Sequence, residues 1–273
     1  MEQIEIEQER PLWRDRYAPI RTDADVPVVG RQWEYESGFR ELWHAHDEGQ
    51  LIYVTRGVLR VLTVDGIWTL APFQGIWLPA AALHELHAIG EVTVRTAYVH
   101  SDATFQNGGW RSCRALRVDA LLDALLVALT DGADCDASQR FDLMLALFRL
   151  ELARAVPISS GTLSLPSDRR LRAICQQMLA APDNNDTIER WSERVGASAR
   201  TLARLFREET GLSFGQWRQQ LRLTEAIARL ALGMPVATIA AELGYQSSSA
   251  FISMFRKTLG ETPQRYLRRQ DVG

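Results

Sequence analysis

Three histidines and a glutamine in the first third of the chain have types and spacing that could bind a ligand. His44 and His46 are two residues apart, Gln50 follows them, and His84 comes after the turn-like sequence that begins at Pro79. Residues i and i+2 of a strand point to the same face, so we expect His44 and His46 to enter one interior together. Imidazole nitrogens bind zinc and other late transition metals, and they also form hydrogen bonds with organic ligands.

The histidine and glutamine side chains have three interpretations. His44, His46 and His84 alone can hold a divalent transition metal such as zinc. In a metal-free pocket, the same histidines and Gln50 could instead form hydrogen bonds with an organic effector. They could also be partly exposed residues at the mouth of the domain, with only a structural role. Gln50 weighs against a metal because a neutral amide oxygen is a poorer donor than a carboxylate.

Arginines in the last third of the chain form a second set of residues that could do chemistry. Arg200 and Arg204 are one helical turn apart, on the face opposite the apolar residues Leu202, Leu205 and Phe206. An arginine can form two parallel hydrogen bonds with a guanine edge in the major groove. The alternative is an ordinary solvated helix face, and the surrounding sequence decides between the two.

Two segments near the end of the chain share one plan. In each, a short helix ends at a glycine (Gly196 or Gly244), a serine can cap a second helix, and a further glycine closes it. This pattern predicts two helix-turn-helix units. One long helix over residues 214–232 joins them, and at 1.5 Å per residue it is about 28 Å long. That length is close to the roughly 34 Å of one turn of B-DNA, so both recognition helices could reach one face of a duplex.

The elements before this region change from strand-like to helical. Residues 32–99 alternate apolar and polar residues, and Asp65-Gly66 between two such runs predicts a hairpin. Helices are expected over about 116–129 and 138–155. Residues 157–166 are rich in Pro, Ser and Gly and are predicted to be a linker.

Length and composition suit a globular chain of two domains, and the charge is unevenly distributed between them. The chain has 273 residues with a net charge of −3, and nothing resembles a signal peptide or a membrane span, so we expect a cytoplasmic protein. Cys113, Cys135 and Cys175 have neither a metal-ligand spacing nor the look of a disulfide framework. Residues 167–273 contain 16 Lys and Arg against 11 Asp and Glu, whereas the preceding residues are acidic. A basic last third favours attraction to phosphates.

The last third of the chain resembles the AraC/XylS family of transcription regulators. The resemblance covers about residues 167–268 and includes the upstream residues Leu202, Arg204, Phe206, Gly211 and Leu221-Arg222. The downstream residues that carry it are Ile239-Ala240, Gly244-Tyr245, Ser247, Ser249, Phe251, Phe255-Arg256-Lys257, Gly260, Thr262-Pro263 and Tyr266. It implies sequence-specific binding to double-stranded DNA.

The histidine pattern is similar to that of the cupin barrel, in which histidines and a glutamate hold a metal. Here Gln50 stands at the glutamate position, and Ala81 replaces the glycine of the second motif. The two resemblances agree, since many AraC-type regulators have a cupin-like effector domain. We therefore predict an α+β chain with a cupin-like β-barrel and two helices over residues 1–156, a linker over 157–166, and an all-α double helix-turn-helix domain over 167–273.

The DNA-contacting residues are assigned by helix face and by the family resemblance. The resemblance implies base contacts at Arg200, Ala203 and Arg204, where the small Ala203 side chain could only meet a thymine methyl. The predicted outward face of the second unit consists of Ser248, Ser249, Ile252 and Ser253. The predicted phosphate contacts are Arg218, Arg256 and Lys257. Short hydroxyls specify weakly, so the first unit is predicted to carry most of the sequence specificity.

The predicted function is a regulator, with no enzymatic activity, whose DNA binding responds to a small molecule or metal. The resemblance also implies that the two helices after the barrel form a homodimer, through Leu121, Leu122, Leu125 and neighbouring residues, and that the protein contacts RNA polymerase. A metal-dependent cupin enzyme fused to a DNA-binding domain is the alternative, and its weakness is the missing carboxylate. An architectural DNA binder without a ligand is the third hypothesis.

Overall fold

The computed structural model describes residues 22, 27–100, 108–131, 139–158 and 161–270. Its first half is one antiparallel sheet of eight strands, as the sequence predicts for an α+β chain. The strands are β1 (Val28–Tyr35), β2 (Arg40–His44), β3 (Gly49–Thr63), β4 (Gly66–Leu70), β5 (Gln74–Leu78), β6 (His84–Val99), β7 (Arg114–Arg117) and β8 (Thr162–Ser164).

The two long strands β3 and β6 organise this sheet. They pair along almost their whole length, from Gly49 opposite Val99 to Thr63 opposite His84. The first half of β3 also pairs with β5, and its second half forms the predicted hairpin with β4, in which Leu62 lies opposite Ile67. Strands β1 and β2 pair with β6, so most of the sheet is attached to this one ladder.

A bulge at Gly57 lets β3 serve two partners. The two runs of alternating residues that the sequence shows, 50–55 and 58–64, fall in one strand that ends at Thr63 and whose register shifts around Arg56. Gly57 has φ of +78°, and a Cβ there would lie 2.1 Å from the carbonyl oxygen of Glu91. Because a side chain cannot fit there, glycine is required for β3 to bend and still pair with β6.

Two helices follow the sheet and cover one of its faces. They are α1 (Ala120–Asp131) and α2 (Gln139–Arg154). Leu122 and Leu125 of α1 are buried against sheet residues such as Tyr53 and Trp77. The prediction that Leu122 and Leu125 form a dimer surface is therefore wrong, because these side chains face the chain's own sheet. Leu121 is 44% exposed.

The second half of the described chain is helical, as predicted. Its helices are α3 (Arg169–Ala180), α4 (Ile188–Val195), α5 (Ala199–Thr210), α6 (Phe214–Ala231), α7 (Val236–Glu242), α8 (Ser248–Leu259) and α9 (Pro263–Gln270). No helix among the residues described is both long and apolar enough to cross a bilayer.

The segment predicted to be a linker contains the last strand of the sheet. Strand β8 pairs with β4, and its central residue Leu163 is fully buried. Leu163 packs among helical-domain residues such as Leu171 and Trp191. The Trp217 indole donates a hydrogen bond of 2.8 Å to the Ser164 carbonyl. The predicted linker is therefore partly folded, and its strand β8 attaches the helical domain to the sheet.

Helix α6 packs directly on the outer face of the β3–β6 ladder. Val58 of β3 and Ala71 share a buried cluster with Leu223, Ile227 and Leu230 of α6. Burial of this aliphatic area contributes favourably to docking, at roughly 25 cal/mol per Å² of apolar surface removed from water.

A chain of ion pairs continues the contact between the two domains. Arg60 of β3 lies 2.8 Å from a Glu225 oxygen of α6, and the other Glu225 oxygen lies 2.8 Å from Arg229. Arg229 also contacts Glu242 of α7 at 3.2 Å. Arg60 and Glu225 are mostly buried, with 23% and 16% of their side chains exposed. Solvent therefore screens this pair less than an ordinary surface pair.

The contact between domains predicts an energetic coupling between Arg60 and Glu225. In a double-mutant cycle of Arg60→Met and Glu225→Gln, we expect a coupling of about 1 kcal/mol in the free energy of unfolding of the full chain. The exposed pair Arg56–Glu91 provides the control, with the substitutions Arg56→Met and Glu91→Gln. Its side chains are 71% and 74% exposed, so its coupling should be near zero. Equal coupling in the two cycles, measured by chemical denaturation, would contradict the docked arrangement.

Candidate functional site

The three predicted histidines come together at one end of the sheet. The rings of His44 and His84 have centroids 4.2 Å apart, and those of His46 and His84 are 5.3 Å apart. One potential ligand atom from each ring lies within 4.8 Å of the other two. The three histidines that the sequence singled out therefore meet in space.

The reason for this convergence differs in part from the prediction. Strand β2 ends at His44, and His46 lies in the loop that leads into β3. The strand alternation expected to align these two residues therefore does not apply. Instead, Ala81 holds the loop, because its backbone N–H donates a hydrogen bond of 2.8 Å to the His46 carbonyl. Ala81 has φ of +61°, the conformation that favours the glycine it replaces in the motif.

Backbone carbonyls orient all three imidazole rings in the same way. The Nδ1 atoms of His44, His46 and His84 lie 2.8, 2.9 and 2.8 Å from the carbonyl oxygens of Leu42, Glu48 and Ala82. A carbonyl oxygen only accepts, so each Nδ1 must carry the proton. Neutral rings held in this tautomer have their lone pairs on Nε2, which is the arrangement found when histidines bind metals.

His84 provides the clearest sign that the site takes a ligand. Its side chain is fully buried, and its Nε2 atom has no hydrogen-bond partner among the described residues. Burial, together with the neighbouring His44, lowers the pKa of His84 to about 3, so the ring is neutral at pH 7. Burial also lowers the pKa of His44. Buried polar atoms are almost always paired, so an orphaned nitrogen beside two other imidazoles calls for a partner.

Gln50 lies in the site as predicted and contacts His46. Only 3% of Gln50 is exposed, and its side-chain oxygen lies 2.8 Å from His46 Nε2. Since His46 Nδ1 already donates to a carbonyl, a neutral His46 requires the Gln50 amide to turn its NH₂ group toward Nε2. A doubly protonated His46 is satisfied by the amide oxygen. Gln50 therefore occupies the His46 nitrogen that a bound metal would need.

Sequence reasoning missed Glu41 as a member of the site. Its carboxylate lies 3.7 Å from His44 Nε2, and its side chain is 13% exposed. Burial raises the pKa of Glu41 to about 7, and His46 and a hydrogen bond from Tyr35 act in the opposite direction. Glu41 and His44 are three residues apart, whereas residues on the same face of a regular strand are two or four apart. The only signal in the sequence was that both residues lie on one short strand.

The first helix-turn-helix unit forms as the sequence predicts. Ser198 caps α5 by accepting a hydrogen bond from the Thr201 N–H, and Gly211 ends the helix with φ of +72°. The residues Leu202 and Phe206 are fully buried, whereas Arg200 is exposed.

The predicted base-contacting face of α5 is accessible. Ala203 is half-buried beside the exposed Arg204, which forms an ion pair with Glu208 one turn later. Both side chains of this pair are more than half exposed, so it stabilises the helix weakly and can give way to another partner.

The second unit presents a less polar face. Ser247 caps α8, while Ser249 and Ser253 are exposed and Ser248 is half-buried. Ile252 is also half-buried and packs against the cluster around Phe251 and Phe255. Ile252 was predicted to point outward, but it also packs against the domain core.

The predicted phosphate-contacting residues differ in their surroundings. Arg256 and Lys257 are exposed in the last turn of α8. Arg218 is half-buried, donates a hydrogen bond of 3.0 Å to the Asp186 carbonyl and lies over the Phe214 ring. Arg218 thus already has partners inside the domain.

Arg222 joins the two units, a role that sequence reasoning did not assign. It is only 7% exposed and donates hydrogen bonds of 2.9, 3.3 and 3.2 Å to the carbonyls of Pro182, Asp183 and Asn184. A further bond of 3.0 Å reaches the Asn185 side chain. A charged residue among buried positions of α6 was the available signal, because such a residue must find partners in the fold.

The loop that Arg222 holds also contacts the turn of the second unit. Gly244 has φ of +73°, and a Cβ there would lie 2.6 Å from the Asp183 carbonyl oxygen. Any larger residue would push the turn between α7 and α8 away from this loop. Arg222 and Gly244 together fix the second unit against the start of the first.

Comparison with known proteins agrees with this architecture. Residues 26–150 match the family model of the AraC-like ligand binding domain, and residues 191–269 match a helix-turn-helix domain. The regulator NimR of Escherichia coli is 30% identical over 226 residues, which cover 83% of this chain and 82% of NimR. The arabinose operon regulatory protein of E. coli is 30% identical over 131 residues, which cover 46% of this chain and 45% of that protein.

A longer but weaker match and a solved structure complete the comparison. The activator RclR of E. coli is 28% identical over 275 residues, covering 92% of this chain and 94% of RclR. The crystal structure of ToxT from Vibrio cholerae bound to an unsaturated fatty acid has a TM-score of 0.37 and 12% identity, covering 91% of this chain and 97% of that chain.

The predicted family is thereby confirmed. The NimR match extends over most of both proteins, and the two family models match the sheet domain and the helical domain in the expected order. The chain belongs to the AraC family of transcriptional regulators, with an N-terminal ligand-binding domain and a C-terminal helix-turn-helix DNA-binding domain.

Proposed function

We propose that this regulator binds a divalent transition metal of the zinc class through His44, His46 and His84, and that the bound metal changes its affinity for DNA. The observation that carries the proposal is the buried His84 Nε2 atom, which has no partner among the described residues and lies beside two imidazoles of the same tautomer. The donor set fits once Gln50 turns away from His46 Nε2, because three imidazoles can hold zinc with an open position. Bound metal would supply a positive charge that draws the three rings together.

The contact between domains provides a route from this site to the DNA-binding domain. Successive residues of a strand point to opposite faces, so the inward His84 and the outward Glu85 and His87 lie on one short stretch of β6. Arg60 lies opposite His87 in the β3–β6 register and reaches Glu225 of α6. A shift of His84 toward a bound metal would therefore move the strand pair on which α6 rests.

Several finer predictions extend this regulatory function. A role in regulation rather than catalysis is supported by the relatives, which are named as a transcriptional regulator, an operon regulatory protein and a transcriptional activator. Contact with RNA polymerase stays a prediction from the family resemblance. The metal-dependent enzyme remains the alternative, and turnover of a substrate by the metal-loaded chain would favour it.

Sequence-specific binding is proposed to rest on α5. We infer that Arg200 and Arg204 read base edges and that Ala203 allows close approach, because all three lie away from the buried residues Leu202 and Phe206. Ser248, Ser249, Ile252 and Ser253 make the second contact and specify less, since the Ile252 side chain is partly committed to packing. Arg256 and Lys257 are proposed to contact phosphates. Arg218 is proposed to do the same when its side chain releases the Asp186 carbonyl.

Arg204 is expected to determine the preference at one base pair. Arg204→Ala should weaken binding to a DNA site selected with the wild-type protein by about 1–3 kcal/mol and relax the preference at one base pair. Arg169→Ala, which removes the same charge from an exposed position of α3, outside both helix-turn-helix units, is the control and should leave the preference at every base pair unchanged. Selection of binding sites from random DNA measures both effects. An unaltered sequence logo for Arg204→Ala would refute the assignment.

Zinc binding is expected to depend on His84. We expect full-length wild-type protein to bind one equivalent of Zn²⁺ in isothermal titration, and His84→Gln to weaken that binding about 100-fold or more because one of three nitrogen donors is lost. His87→Gln is the control, since His87 lies outside the cluster and contacts Glu85. Failure of the wild-type protein to bind Zn²⁺ would overturn the metal proposal and leave the organic effector.

A homodimer is proposed to form through α2. Leu143, Leu147 and Leu150 are 64%, 37% and 52% exposed and lie at spacings of four and three residues, which places them on one helix face. The opposite face, with Leu145 and Phe148, is buried against the sheet domain. An aliphatic stripe of this kind suits the same stripe of a second copy, because an isologous contact repeats one patch on both subunits.

The exposed leucines of α2 are expected to be required for the dimer. The double variant Leu143→Glu, Leu150→Glu should dissociate at protein concentrations at which the wild type sediments as a dimer, because like charges would face each other across the contact. Val64→Glu, at a hairpin position that is 56% exposed, should not change the sedimentation. A dimer that survives the double variant would place the interface elsewhere.

A further inference from the structure

We propose that Glu41 is a fourth protein donor to the histidine site, so that the site takes a divalent late first-row metal through three imidazoles and one carboxylate. The inference rests on the metal site proposed above and goes beyond it in donor set and charge. Neither the cupin-like spacing nor the family resemblance indicates this residue, because the glutamate position of that motif is Gln50.

The distance between Glu41 and His44 suits two donors of one metal ion. A Glu41 oxygen lies 3.7 Å from His44 Nε2. For a zinc ion about 2.0–2.1 Å from nitrogen and about 2.0–2.2 Å from oxygen, two donors at a tetrahedral angle are roughly 3.4 Å apart. Relative to His44, the separation therefore needs only a few tenths of an ångström of movement. Glu41 lies outside the group of mutually close donor atoms formed by the three histidines, so it must also come nearer to His46 or His84.

The Glu41 carboxyl group faces the histidine site. Its side chain is 13% exposed, and among the described residues no lysine or arginine forms an ion pair with it. The charged and titratable groups that face it are His44 and His46, and Tyr35 forms a hydrogen bond with its side chain. A buried carboxylate without a strong cation is costly, and a metal ion beside it would remove that cost.

Glu41 supplies the carboxylate that is missing at the Gln50 position. The three-histidine donor set lacks a carboxylate, and Glu41 supplies one from β2 instead of from β3. Gln50 must then turn away from His46 Nε2 when a metal binds, while the contact of His46 Nδ1 with the Glu48 carbonyl keeps the ring in place. One carboxylate also reduces the net charge of a divalent site to +1, which favours burial of the ion.

The test compares metal binding by full-length variants. Glu41→Gln is close in size and removes the charge, and Asp47→Asn removes the same charge from an exposed position of the adjacent loop. We expect Glu41→Gln to weaken Zn²⁺ binding about 10–100-fold, Glu41→Asp to restore part of the loss, and Asp47→Asn to have no effect. The visible spectrum of the Co²⁺-loaded proteins should differ between the wild type and Glu41→Gln, and thermal unfolding of the metal-free variants checks that they fold.

The possible outcomes separate this inference from the proposed function. Stoichiometric Zn²⁺ binding that is equal in the wild type and Glu41→Gln, with identical Co²⁺ spectra, would overturn the role of Glu41 and leave the three-histidine site intact. No binding by the wild type would overturn both. If Glu41→Gln fails to fold, the Co²⁺ spectrum of Glu41→Asp decides, because a carboxylate ligand at a changed distance must alter it and a remote one must not.

Discussion

The pairing of β3 with β6 is the constraint on which the rest of this regulator depends. These strands are 15 and 16 residues long, and they hold the sheet domain together while exposing two different chemistries on their two faces. The inner face carries His84, and the outer face carries Val58 and Arg60, which support α6. Because the same backbone hydrogen bonds position both faces, the candidate ligand site and the DNA-binding domain are separated by the thickness of one sheet.

The DNA-binding domain is built to keep its two reading helices in a fixed relation. Arg222 ties α6 to the loop between α3 and α4, and Gly244 lets the turn of the second unit press against that loop. A displacement of α6 would therefore carry both units together rather than bend one against the other. This rigidity fits the proposed route, in which a change in the sheet alters the placement of the whole domain on DNA.

The sequence predicted the helical half almost completely. Serine caps and glycine ends are local signals, so Ser198, Gly211, Ser247 and Gly260 marked their helices to within about one residue. The sheet domain was predicted in class and in its Asp65-Gly66 hairpin. The single long strand β3 was not predicted, because a bulge at Gly57 depends on a partner strand that is more than thirty residues away.

The sequence predicted four residues of the candidate site, but neither Glu41 nor the contacts that bring these residues together. His44, His46, Gln50 and His84 do meet, but a loop fastened by Ala81 brings His46 into place, and no spacing rule contains that contact. The contact of Glu41 with the histidines and the ion pair Arg60–Glu225 could not be predicted for the same reason, since each depends on which elements pack together. The family resemblance assigned Leu122 and Leu125 to a dimer contact, but they cover the chain's own sheet, and helical periodicity shows an apolar face without showing which surface that face covers.

The most direct test of the account is the thermodynamic linkage between metal and DNA. The affinity of the full-length protein for a selected DNA site is measured with and without saturating Zn²⁺, and the affinity for Zn²⁺ is measured with and without that DNA. Coupled sites must change each other's affinity by the same factor, and we predict a factor of about 5 or more in both directions. Stoichiometric Zn²⁺ binding that leaves the DNA affinity unchanged would contradict the account.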